Sequence, residues 1–78
     1  MLVRYMEKSA GPGPSEVIVE IKTSAGTVEK VVVHDSLLSD DKVMVEKVHQ
    51  EDDRILVELP RESAAGNWRI WVAVAQTD

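Results

Sequence analysis

Five short runs of alternating, β-branched-rich residues occupy Glu16 to Ala75, and turn signals separate them. The spacing predicts strands over Glu16–Thr23, Thr27–His34, Lys42–His49, Arg54–Leu59 and Trp68–Ala75. Alternation at period two gives a strand one apolar and one polar face, as a sheet covering a core on one side requires. No stretch has the 3.6-residue period of a four-turn amphipathic helix. The expected fold is all-β: a small antiparallel β-sandwich, or alternatively a partly closed barrel, of five or six strands with an N-terminal arm.

The phase of each run says which side chains turn inward. In the first, Val17, Val19 and Ile21 share a face, opposite Glu16, Ile18, Glu20 and Lys22. Ser24-Ala25-Gly26 then makes a three-residue hairpin connection with glycine where a positive φ is usual. Val31-Val32-Val33 breaks the alternation, which suits either a strand covered on both sides or part of an interface. Asp35–Asp41 is a loop in which Leu37 and Leu38 cover one open end of the core, with room for a one-turn helix. Lys42–His49 loses phase at Glu46-Lys47, which a bulge near Glu46 explains. Ile55, Val57 and Leu59 point inward before Pro60 ends the fourth run. Trp68, Ile70, Val72 and Val74 share one face of the fifth, with Arg69, Trp71, Ala73 and Ala75 on the other.

Ahead of the first run, Leu2–Met6 is a short apolar and aromatic stretch, an additional strand or an anchoring arm. Lys8 to Ser15 carries Gly11-Pro12-Gly13-Pro14 and is expected to interrupt all regular structure. The chain thus divides into an arm and linker, residues 1–15, and a β domain, residues 16–78. The arm is expected to dock on its own domain or on a neighbour, and its removal to leave the β domain folded.

Seventy-eight residues without cysteine form one domain at most, and no disulfide can staple it. A chain this small buries only about 60–65% of the surface its unfolded form exposes, so association with copies or partners is a natural source of further stability. The net charge of −5, with nine basic residues scattered among fourteen acidic ones, argues against nucleic acid and anionic membrane surfaces as partners. No apolar run approaches the roughly 20 residues of a spanning helix. Met1–Lys8 lacks the pattern of a secretion signal, so a soluble, cytoplasmically made protein is expected.

Little in the chain is equipped for chemistry. No phosphate loop is present, and the serines lie in linker or loop contexts outside any nucleophile-elbow pattern. No cofactor motif is found and no enzymatic activity is expected. A zinc site would draw on His34 and His49 with Asp35, Asp52 and Asp53, provided the strands they end pair as a hairpin, but no third strong ligand is indicated. A calcium site would draw on Asp40, Asp41, Glu51, Asp52 and Asp53, which follow no EF-hand spacing. Acidic turns of this kind are ordinarily solvated, and no metal is assigned.

The tryptophans carry more information. Trp68 and Trp71 are three positions apart and face opposite sides of a strand. Trp68 is assigned to the core. Trp71 is either core or an interface anchor, since a large rigid ring on an outer face suits a contact surface. The interface candidates are therefore Leu2, Val3, Tyr5 and Met6 in the arm, with Ile18 and Trp71 on the domain. Leu56 is a further apolar residue on an otherwise polar face.

Three stretches carry a family resemblance: Asp35-Ser36-Leu37-Leu38-Ser39-Asp40-Asp41-Lys42-Val43-Met44-Val45, Arg54-Ile55-Leu56-Val57-Glu58-Leu59 and Gly66-Asn67-Trp68-Arg69-Ile70-Trp71-Val72. A loop into one strand, a second strand, then a Gly-led aromatic strand resembles small β-sandwich proteins of bacteriophage particles: head-fibre, decoration and tail-associated subunits. The resemblance spans about Val31 to Val74. It implies a non-enzymatic virion subunit, commonly trimeric, attached to capsid or tail subunits through its arm. The alternative is a small cytoplasmic adaptor that binds a peptide at an exposed strand edge.

Overall fold

The computed structural model describes all residues, Met1–Asp78. The chain is all-β, with nine short strands and two single-turn 3-10 segments. The strands are β1 (Leu2–Arg4), β2 (Glu7–Ala10), β3 (Glu16–Lys22), β4 (Val28–His34), β5 (Leu38–Ser39), β6 (Lys42–Met44), β7 (Glu46–Glu51), β8 (Arg54–Glu58) and β9 (Arg69–Ala73). They form three antiparallel sheets in the orders β1-β6-β5, β2-β3-β4 and β7-β8-β9. More strands arise than expected because two long segments bend and Leu38–Ser39, within the expected Asp35–Asp41 loop, pairs with β6. Only Tyr5 and Met6 separate β1 from β2, and only Val45 separates β6 from β7.

Each bend hands the chain from the first sheet to another, so the three sheets share one core, as a small β-sandwich or barrel-like fold does. That core contains twelve buried apolar residues, mostly valine and isoleucine. Val19, Ile21, Val43, Val45, Ile55, Val57, Leu59, Ile70 and Val72 come from the inward rows of the alternation, and Val31 and Val33 join them from the run that breaks it. Leu37 and Leu38 pack against its end, Leu37 from a one-turn 3-10 segment at Asp35–Leu37. The phase slip in the third run has two parts, a break at Val45 and a register shift between Lys47 and His49.

The N-terminal arm is the main correction. Met1–Ser15 is not a separate unit: Leu2–Arg4 pairs with Lys42–Met44, and Glu7–Ala10 pairs with Val17–Glu20. Val3 is fully buried, directly opposite Val43. Burial of that side chain contributes about 1.5–3 kcal/mol, so Val3 holds the fold instead of anchoring a partner. Lys8, Ser9 and Ala10 lie in β2 despite the following Gly-Pro run, because their partner strand supplies the hydrogen-bond ladder. The irregular part shrinks to Gly11–Ser15, closed by Gly11 N–H donating to Glu16 O at 3.0 Å.

Two connections share one design. In Thr23–Thr27, Thr23 N–H donates to Thr27 O, Gly26 N–H to Thr23 O, and Thr27 N–H to Thr23 Oγ1. Ser63–Asn67 repeats it bond for bond, with Gly66 and Ser63 Oγ in the same places. Gly26 and Gly66 have φ of +87° and +88°, the left-handed position that this turn assigns to glycine. These loops link the second and third sheets: Ser24 N–H donates to Trp71 O, and Ala64 N–H donates to Lys30 O, both at 2.8 Å.

Candidate functional site

The two histidines lie on different sheets. His34 ends β4 and His49 lies in β7, and these strands do not pair, so the hairpin that a shared zinc site needed is absent. His34 Nδ1 accepts from Ser36 N–H at 3.1 Å and contacts the Ser36 hydroxyl at 2.8 Å. His49 stands 3.6 Å from Glu51. No three His, Asp or Glu side chains converge at a distance that could hold a metal. The acidic pairs Asp40-Asp41 and Asp52-Asp53 instead form two-residue hairpin tips, with φ of 56° at Asp40 and 50° at Asp52. Aspartate tolerates that conformation better than most residues, which explains why these carboxylates stand there.

Of the two tryptophans, only Trp68 departs from its expected place. Trp71 is half-buried on the outer face of the third sheet, in register with Leu56 and His49. Its own chain covers it. Arg54 lies 4.0 Å above the ring, fixed by a 2.9 Å ion pair to Glu51, and His49 meets it edge-on. Ile18 lies on the outer face of a different sheet, between Ser9 and Val32. Ile18 and Trp71 therefore lie on different sheets, and Val32 is not covered on both sides but half-buried beside Ile18.

Trp68, assigned to the core, is 53% exposed. Its parity matches Ile70 and Val72, but it lies one residue before β9, opposite Leu59, where the sheet ends. The ring flanks a groove of about 290 Å³ formed with Leu37, Met44, Val45, Leu59 and Pro60. Met44 is 49% exposed on the same groove. The charged residues there are both acids, Glu46 and Glu58, which stand directly opposite each other. Arg69 neutralises Glu58 at 3.1 Å, and Glu46 has no ion-pair partner.

A larger cleft of about 580 Å³ opens where the β1–β2 bend meets the Thr23–Thr27 hairpin. Tyr5, Met6, Ala25 and Ala73 contribute its apolar wall, and its charged residues are both cations, Arg4 and Lys22. Tyr5 donates its hydroxyl hydrogen to Asp40 O at 2.9 Å, and Leu2 is half-buried. Of the four arm candidates only Met6, at 54% exposure, is an open apolar contact. Arg4 pairs with Asp41 at 3.2 Å, while Lys22 is unpaired.

No helix is long and apolar enough to cross a membrane. No family model matches this chain, no curated protein matches its sequence, and no solved structure matches its fold.

Proposed function

We propose that this chain is a non-enzymatic assembly protein that associates with copies of itself and, as the resemblance implies, serves as an accessory subunit on a phage head or tail. The supporting observation is the half-exposed Trp68 beside half-exposed Met44 on an apolar groove. Trp and Met are enriched at contact surfaces, and leaving a tryptophan in water forfeits burial that an interface would recover. The strand-edge alternative has less behind it. Ala64 occupies part of the β4 edge, and Ser24 with Gln76 occupies part of the β9 edge.

Light scattering on size-exclusion fractions tests self-association. The expected mass rises with concentration above the 8.7 kDa of one chain, and Trp68→Ser holds it there without altering the far-ultraviolet spectrum. A wild-type chain that remains at 8.7 kDa up to millimolar concentration counts against the reading. For the particle assignment, the protein should co-purify with assembled phage particles, and its confinement to the unassembled fraction would remove it.

A further inference from the structure

The two clefts are complementary to each other. Both have an apolar wall with a half-exposed side chain, Met6 on one and Trp68 on the other. The larger carries only cationic side chains and the smaller only anionic ones. Each also holds one charge with no ion pair in its own chain, Lys22 and Glu46. They share no residue: Met6 lies in the bend that follows β1, whereas Met44 pairs with Leu2 at the start of β1.

We infer that copies of this chain join head to tail, the Trp68–Met44 groove of one seating against the Met6 cleft of the next. This rests on the self-assembly reading above and specifies which surfaces meet. Trp68 supplies the anchor, and Glu46 of one copy faces Lys22 of its neighbour. The net charge of −5 on each copy opposes association at long range, so the attraction is local: apolar burial at the centre and one opposite-charge pair at the rim. Two different patches meet, so the contact is heterologous and continues into a closed ring or an open filament. A groove meeting its own copy would instead set Glu46 and Glu58 against the same acids.

The absence of native cysteine makes the pairing directly readable. Met6→Cys and Met44→Cys are made separately in the full chain, and disulfide formation under mild oxidation is followed by mass. The expected result is a covalent dimer from the mixture, little from either variant alone, and a ladder or closed ring from the double variant. Lys22→Glu on the Met6→Cys chain should lower the mixed yield about tenfold, and Glu46→Lys on the Met44→Cys chain should restore it. Dimers from Met44→Cys alone, as fast as from the mixture, would overturn the head-to-tail contact while leaving self-assembly standing. No cross-link in any combination would also overturn it, and the light-scattering mass then decides self-assembly independently.

Discussion

Asn67 donates an Nδ2 hydrogen bond to Glu29 Oε2 at 3.0 Å, and the other carboxylate oxygen, Oε1, is buried with no partner. Glu29 stands on the inward row of β4 with Val31 and Val33, and only 9% of it is exposed. A buried acid beside an edge strand costs stability unless its oxygens are satisfied. Here a single amide from a loop 38 positions away supplies the only donor.

Asn67→Ala should therefore destabilise the fold by about 1–3 kcal/mol, since it leaves both oxygens of Glu29 without a donor. Glu29→Gln, which removes the buried charge and keeps an acceptor for Asn67, should cost less than that. Urea unfolding of the two variants measures the difference. An Asn67→Ala chain as stable as the wild type would mean that the contact does not matter to the fold.

Removal of Met1–Ser15 should abolish folding. It takes away β1 and β2, and with them Val3 from the core and the partners of β3 and β6. A domain of this size has roughly 4–12 kcal/mol of total stability, and two missing strands exceed that margin. Circular dichroism and a denaturant titration decide it. A cooperative unfolding transition in the truncated chain would restore the picture of a dispensable arm.

A Cβ at Gly26 or Gly66 meets nothing within 4 Å, so any cost of alanine there is backbone cost. Each of Gly26→Ala and Gly66→Ala should lose about 1–2 kcal/mol, the left-handed penalty for an L-residue. Gly11→Ala differs in kind, since its Cβ would come within 2.6 Å of the Glu16 carbonyl carbon and oxygen and displace the chain. Melting temperatures rank the three, and a neutral Gly26→Ala would show that the loop relaxes at no cost.

The hydrogen bond from Arg54 holds the Glu51 carboxyl below its ordinary value; desolvation opposes this, and the charges of Arg54 and His49 add to it. A carboxyl whose folded value lies below its unfolded one stabilises the fold fully above the unfolded value. That contribution is lost as pH falls through the folded value. Arg54→Ala should raise the Glu51 midpoint and uncover Trp71 together, since one guanidinium serves both. Carboxyl chemical shifts across an acid titration, read beside tryptophan emission, check it. An unmoved midpoint would contradict the pairing.

Face and turn were legible locally. Alternation identifies Val19, Ile21, Ile55, Val57, Ile70 and Val72 as inward, because in a strand the side is a matter of parity alone. It does not place Glu29, whose run breaks the alternation at Val31-Val32-Val33; only the structure shows it inward and names its donor. The Thr23–Thr27 loop was legible from its glycine, whereas its twin at Ser63–Asn67 showed only as a polar stretch containing Gly66.

What the chain alone determined is which side chains face inward and where it turns; the tertiary structure decided who pairs with whom and where each sheet stops. β2 is exposed at every position and carries no apolar signal, so only the ladder from β3 makes it a strand. Trp68 has core parity but lies beyond the sheet's end, and parity has no coordinate along the strand axis. The Trp68 groove and the Met6 cleft collect residues from distant segments, so their opposite charges emerge only once the sheets assemble around the core. Side-chain direction is set by adjacent peptide units, whereas strand partnership is a free-energy choice among segments tens of residues apart.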